Sequence, residues 1–159
     1  MRSRPCRLAL PAVAALLLLT TACGGGHDSE AAASGAGDEG FSAAADIATC
    51  LKNATAVTST PDGYPAGFPL PNGTVVFNIE DRDAEGVIAT GVTSTPFDDV
   101  LKDMNAAEQA GFRVTSGETE EDDAEASWTG HGFVGRWAIK KSATCPGETV
   151  LQLLSKRLG

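Results

Sequence analysis

The sequence predicts an α+β domain in which a mainly antiparallel β-sheet has one amphipathic helix packed on one face. One segment, residues 96–110, has helical periodicity between clear start and stop signals. Several shorter segments alternate apolar and polar residues, as strands do. The order of these segments is β-β-α-β-β-β-β, which is typical of a helix lying on one side of an antiparallel sheet.

The segment 96–110 is the most clearly marked element. Thr95 stands where an N-cap is expected, Pro96 takes the first helical position, and Gly111 follows the last helical residue. The apolar residues recur at i, i+3, i+4 and i+7, and they are Phe97, Val100, Leu101 and Met104. The helix therefore has one apolar face, which suits it to lie on a sheet.

Two features precede the first strand. Apolar residues at helical spacing over residues 43–51 predict a short N-terminal helix that carries Cys50. The segment 61–73 contains four prolines, with Tyr64 and Phe68 between them. Prolines at this density favour an extended, polyproline-like backbone. The segment is either a ligand for an aromatic groove of another protein or a strip that fixes its two aromatic residues to the core, and we favour the strip.

Two strands are predicted before the helix. In the first strand, Val75, Phe77 and Ile79 alternate with other residues and are expected to share one face of the sheet. A turn at residues 83–86 then returns the chain as a second strand, Val87–Thr93.

Four strands are predicted after the helix. An acidic connection, GETEEDDAE, separates the first two, and a turn at residues 130–132 joins the second and third. The apolar residues of the last segment also have helical spacing, so a strand and a helix are both alternatives for it. The four strands are residues 112–115, 124–130, 133–140 and 148–154.

The first 23 residues have the pattern of a bacterial lipoprotein export signal. Three arginines lie in the first seven residues, and an apolar run of about 12 residues, 8–19, follows. This run is too short to span a bilayer, which takes about 20 helical residues. Small residues precede Cys23. This cysteine is the expected site of lipid attachment, and palmitate is expected among its acyl chains. The aliphatic residue usual three positions before the cysteine is Thr20 here, and the alternative is an ordinary signal cleaved near Ala22 that leaves a free thiol.

The predicted organisation follows from this pattern. Residues 1–22 are the signal peptide, and residues 23–40 are a lipidated, disordered tether of glycine, alanine, serine and acidic residues. Residues 41–159 form a single α+β domain. The protein is expected on the outer face of the cytoplasmic membrane, held there through the lipid on Cys23.

The charge of the mature chain excludes some partners. The signal holds three of the 12 basic residues and no acidic residue, so the mature chain has 9 Lys+Arg, 21 Asp+Glu and a net charge of −12. Such a surface repels nucleic acid and anionic lipid headgroups. A nucleic-acid partner is therefore not expected.

Two cysteines remain in the domain. Cys50 and Cys145 are predicted to form a disulfide, because an even number of cysteines in an oxidising compartment is usually paired. Two unpaired thiols are the alternative. Zinc is disfavoured, since the only histidine in the domain is His131 and at least three protein ligands are needed.

The sequence shows no catalytic constellation. His131 lies in a glycine-flanked turn, and no recognised nucleophile, phosphate-loop or metalloprotease motif occurs. The acidic run lacks the spacing of a calcium loop, and we interpret it as a solvated loop that keeps strand edges from pairing. Its members are Glu118, Glu120, Glu121, Asp122, Asp123 and Glu125. We therefore expect no catalytic residue, no cofactor and no metal.

Six short motifs carry a resemblance to a known group of proteins. They are Tyr64-Pro65, residues 68–74, 96–100, 110–114, 135–137 and 145–147. In these motifs the chain resembles small lipoproteins of high-GC Gram-positive bacteria whose domain has no assigned function. The motifs are structural, so the resemblance implies a fold and an extracytoplasmic location but no activity.

The expected function is that of a membrane-tethered, non-catalytic interaction module with an unknown protein partner. A binder of a small ligand or metal beneath helix 96–110 and an enzyme of unrecognised type are the alternatives. The expected contact surface is the sheet face away from the helix. There Arg136 and Lys140 would lie together beside the acidic run.

Overall fold

The computed structural model describes residues 49–159. The predicted signal peptide and tether, and most of the predicted N-terminal helix, lie outside the described residues. Within the described residues the prediction is not met at Thr49 and Cys50, which are not helical, and a short 3-10 helix, Leu51–Asn53, follows them.

Six strands form one antiparallel sheet, which confirms the predicted fold class. The strands are β1 Val75–Asp81, β2 Val87–Thr93, β3 Arg113–Thr119, β4 Asp123–Gly130, β5 Phe133–Lys141 and β6 Thr149–Arg157. Their order across the sheet is β1-β2-β6-β5-β4-β3. The last segment is thus a strand, and it lies between the β1–β2 hairpin and the β3–β4–β5 meander.

Helix α1, Phe97–Asn105, continues as a 3-10 helix, Ala106–Ala110. The predicted N-cap is wrong: the Thr95 hydroxyl donates to the carbonyl of Asn72 at 3.2 Å, and Pro96 occupies the cap position. Gly111 ends the helix as predicted, with φ 84°. A β-carbon there would lie 2.6 Å from Nε2 of His131, so the position needs glycine for both conformation and space.

The core lies between the sheet and the layer formed by α1 and residues 61–73. At its centre Phe68, Phe112 and Trp128 form an aromatic cluster with ring centroids 5.0–5.5 Å apart. All three side chains are buried. Aromatic pairs at such separations add about 0.5–1.5 kcal/mol each beyond their burial.

Residues 61–73 are a strip on this core, as we favoured, but the predicted polyproline-like backbone is wrong. Three Pro-x-Gly-x turns occur instead, in each of which the fourth residue donates its N–H to the proline carbonyl. The bonds run from Tyr64 to Pro61, from Phe68 to Pro65 and from Thr74 to Pro71, at 2.8–3.2 Å. Proline, with its fixed φ, stands first in each turn, and of the three glycines only Gly73 has a positive φ, 75°.

The predicted alternation of β1 is wrong after Val76. A β-bulge between Val76 and Asn78 leaves Phe77 as an extra residue against β2. The bulge shifts the phase of the strand by one residue. Ile79 consequently packs with the helix-side core, whereas Phe77 packs against Val150 on the other face.

Replacing Phe68→Ala should lower the free energy of unfolding by about 3–5 kcal/mol, because the truncation leaves a cavity among three aromatic rings. The measurement is denaturant unfolding of the mature chain, residues 23–159, with Cys23→Ser in place of the lipidated cysteine. Leu158→Ala is the control, since Leu158 is 53% exposed and should change stability by less than about 0.5 kcal/mol. Equal stability of the two variants would contradict the central role of the aromatic cluster.

Tyr64 should ionise above its ordinary pKa of 10.0, because its burial raises the pKa. It is the single tyrosine of the chain, so phenolate absorbance during a pH titration reports this residue alone. The unfolded chain loses this proton first, so the stability that the neutral phenol contributes is complete below pH 10.0 and falls as the pH rises through the folded pKa. An ordinary or lowered pKa would show that the strip does not cover Tyr64 in solution.

Candidate functional site

A cleft of about 290 Å³ lies on the helix face of the sheet, between the last residue of α1, Asn105, and the edge strand β3. Ala126 of β4 and Trp137 of β5 lie behind β3 and also line it. Gly117 has no side chain with which to fill the space, and a β-carbon there would lie 2.7 Å from that of Ala126. The cleft therefore exists because the helix face carries small residues at this point.

Trp137 lines the cleft, and its indole N–H has no partner. Its side chain is 1% exposed, and the indole N–H, like that of Trp128, donates to no acceptor within residues 49–159. A buried donor without an acceptor costs about 1–3 kcal/mol. Both nitrogens are enclosed by protein atoms, so the cleft does not present them to a ligand.

The outer edge of β3 is open. Strand β1, at the opposite edge of the sheet, receives a hydrogen bond of 2.9 Å at the Val76 carbonyl from the N–H of Val57. β3 pairs with β4 alone, and its outer side has no backbone partner in the described part of the chain. A larger, shallow groove of about 630 Å³ lies at the β1 edge, where residues 55–61 line it on one side.

The acidic run is not one loop, which corrects the sequence prediction. β3 extends to Thr119, four residues beyond its predicted end, because polar residues at an exposed edge can continue a strand without an apolar pattern. Glu118 of β3 lies directly opposite Glu125 of β4. Two facing glutamates repel each other, and an ion pair between Arg136 and Glu125 offsets this repulsion.

Lys141 forms an ion pair with a second acidic residue, Asp122. Its ammonium group donates to the Asp122 carboxylate at 2.9 Å and to the Glu121 carbonyl at 2.8 Å. The hydrogen bond to Asp122 raises the pKa of Lys141, so this cation stays charged at neutral pH. Within residues 49–159, Glu118 and Glu120 make no ion pair. The uncompensated negative charge thus lies at the C-terminal end of β3.

The sheet face away from α1 differs from the expected patch. Arg136 and Lys140 do lie on this face, four residues apart on β5, but Arg136 is engaged by Glu125. Val92 and Val150 on the same face are fully buried, and Phe77 packs against Val150. The face is therefore partly covered, and one of its two expected cations, Arg136, is paired.

His131 has a structural contact. It lies in the exposed β4–β5 turn with φ 50°, and its Nε2 lies 2.8 Å from the Ala110 carbonyl. Its ring lies 4.8 Å from that of Phe112. The side chain thereby ties the β4–β5 hairpin to the end of the helical segment.

Cys50 and Cys145 are joined in a disulfide, as predicted, with their Cα atoms 5.6 Å apart. The Glu148 carboxylate lies beside them and accepts the N–H of Leu51 at 2.8 Å. The two sulfurs and this carboxylate lie within 4.8 Å of one another, the one such group of possible metal ligands among the described residues. Because the sulfurs are bonded to each other, the group supplies no thiolate to a metal in this state.

No helix within residues 49–159 is long and apolar enough to cross a membrane. Comparison of the chain with known protein families, with curated proteins and with solved structures gave no match. The class that the described residues define is a disulfide-linked α+β domain with an open strand edge beside a cleft.

Sequence analysis did not identify the cleft residues Asn105, Gly117 and Trp137. One signal was present: Gly117 interrupts the polar residues after Thr115, and an isolated glycine at such a place often marks a close approach of another backbone. The position of Trp137 behind that glycine depends on strand register, which the sequence does not give.

Reducing the disulfide, or replacing both cysteines with Cys50→Ser and Cys145→Ser, should lower the free energy of unfolding by about 2–5 kcal/mol. The bond links residues 95 apart, so its loss frees a long loop in the unfolded chain. The denaturant midpoint measures the effect, and a reductant should not change the midpoint of the double variant. An unchanged midpoint for the reduced wild type would contradict a stabilising role.

Proposed function

We propose that the chain is exported and lipid-modified at Cys23, and that its domain serves as a non-catalytic interaction module on the outer face of the cytoplasmic membrane. Membership of the family of small lipoproteins that the motifs resemble is part of this proposal. The domain would bind a protein partner within reach of the tether.

The N-terminal sequence supports the location. The basic start, the short apolar run and the small residues before Cys23 form an export signal, and residues 24–40 have the composition of a flexible spacer. A disulfide in the domain suits an oxidising, extracytoplasmic compartment. These features support the cellular location of the protein. What the protein binds depends on the domain.

The open edge of β3 beside a cleft is the observation that carries the interaction role. Exposed strand edges are templates for pairing with another chain, and proteins usually shorten, cover or charge them. Here the edge is seven residues long, and a cleft lies next to it on the helix face. Backbone groups for affinity and a recess for a side chain thus occur together.

The cleft also favours a second candidate function, binding of a small ligand. Its volume of about 290 Å³ is near the lower limit of pockets that hold small molecules, about 300 Å³. A thermal-shift screen with small metabolites and divalent cations distinguishes this candidate, because a tight ligand raises Tm without any protein partner.

Cys23→Ala should move the protein from the membrane fraction to the medium. Two or three acyl chains anchor a protein stably, and their loss leaves a domain of high negative charge with no other predicted anchor. Fractionation of native cells, with detection of radiolabelled palmitate on the wild type, measures both location and lipid. Retention of Cys23→Ala in the membrane fraction would contradict lipid anchoring through this residue.

Cross-linking in intact cells tests the interaction role with the same pair of proteins. A specific partner protein captured by the anchored wild type and lost with Cys23→Ala is the expected result. Capture of no specific protein by either form would overturn the proposal of a stable protein partner. Turnover of a cell-wall or peptide substrate by the purified mature chain would overturn its non-catalytic character.

A further inference from the structure

We infer that the outer edge of β3 binds an extended, basic segment of a partner protein, which adds to the sheet as a seventh strand. The inference rests on the proposed role as an interaction module and names its binding surface and the chemistry of its ligand. Its support comes from the backbone, the side-chain alternation and the charge of β3.

The backbone of β3 is available from Ser116 to Thr119, after an irregularity in its register between Val114 and Ser116. No described residue pairs with its outer edge, and residues 115–119 are exposed. An extended peptide that pairs with such an edge gains main-chain hydrogen bonds at successive residues. The β1 edge is less available, because Val57 donates to the Val76 carbonyl there.

The side-chain alternation of β3 gives the added strand two different faces. Gly117 and Thr119 lie opposite Ala126 and Ala124, on the helix face beside the cleft. Ser116 and Glu118 alternate with them on the other face. A residue of the added strand that points to the helix face would meet the cleft, and its neighbours in sequence would lie beside Glu118.

The charge at this edge selects a basic segment. Glu118 lies on the strand, and Glu120 and Glu121 follow it in the turn. Two cations near the run are already engaged, Arg136 by Glu125 and Lys141 by Asp122, and Lys140 lies opposite Asp123, away from the outer edge of β3. A second copy of this chain is disfavoured as the occupant, because two acidic β3 edges would face each other.

The cleft limits the size of the side chains that the added strand places in it. Gly117 and Ala126 leave space there, and Trp137 lines the cleft behind them. The occupant is thus a strand that alternates basic residues with small residues.

The test uses the mature chain with Cys23→Ser and an acetylated, amidated six-residue peptide that alternates lysine and threonine. Amide NMR shifts should change at saturation for Arg113–Thr119 and stay constant for Val75–Asp81. Fluorescence of the two tryptophans, Trp128 and Trp137, gives a second readout of the cleft. A peptide that alternates glutamate and threonine should leave both signals unchanged.

Two variants distinguish the effect of a charge on β3 from the effect of the net charge of the protein. Glu118→Lys should weaken peptide binding about tenfold, because one attraction is replaced by a repulsion. Glu85→Lys makes the same change of net charge at the exposed β1–β2 turn and should leave the affinity within about twofold. Equal weakening by both variants would overturn the assigned site in favour of nonspecific attraction.

A peptide N-methylated at every residue tests the backbone pairing with the wild-type protein, without any risk of misfolding. It keeps the lysines but cannot donate main-chain hydrogen bonds from either edge, so it should show no saturable binding. Binding equal to that of the unmodified peptide would overturn the seventh-strand geometry. Shifts of β3 amides that depend on protein concentration without peptide would assign the edge to a second copy instead.

The same variants distinguish failure of this inference from failure of the proposed function. A partner captured in cells equally well by wild type and Glu118→Lys would leave the interaction module intact and overturn the β3 site. Loss of capture with Glu118→Lys but not with Glu85→Lys supports both.

Discussion

The contact among Phe68, Phe112 and Trp128 joins three parts of the chain that are distant in sequence: the turn-rich strip, the residue just before β3, and β4. No single secondary-structure element in this domain buries enough apolar surface by itself, so these rings provide the surface on which strip and sheet meet. Hydroxyl groups then fix the strip, as Ser155 does by donating to the Gly63 carbonyl at 2.7 Å. The helix is placed by its own apolar face on the same core.

The elements with strong local signals could be predicted. The end of helix 96–110, its start to within one residue, and the full extent of β2 follow from proline, glycine and apolar periodicity, all of which act over a few residues. The errors concern properties that depend on a neighbouring strand. The bulge at Phe77 appears only when β1 is paired with β2, and β3 extends to Thr119 because β4 offers it a partner.

The strip shows a different limit. The density of prolines predicts extended backbone, yet three of these prolines begin four-residue turns, a position that the fixed φ of proline also permits. The candidate site was harder still to predict. A cleft that exists because Gly117 and Ala126 are small has no sequence motif. It can be recognised only once the strand register places Trp137 behind these residues.

The position of β6 has a consequence for how the chain is made. Strand β2 pairs with Thr149–Arg157, so that Val92 lies opposite Val150, and β5 pairs with the same segment from the other side. The two halves of the sheet thus have no shared strand until this segment has left the ribosome. Long-range pairing of this kind forms slowly. This architecture is compatible with the export that we propose, because premature closure of the sheet would block passage of the chain through a membrane as an extended polymer.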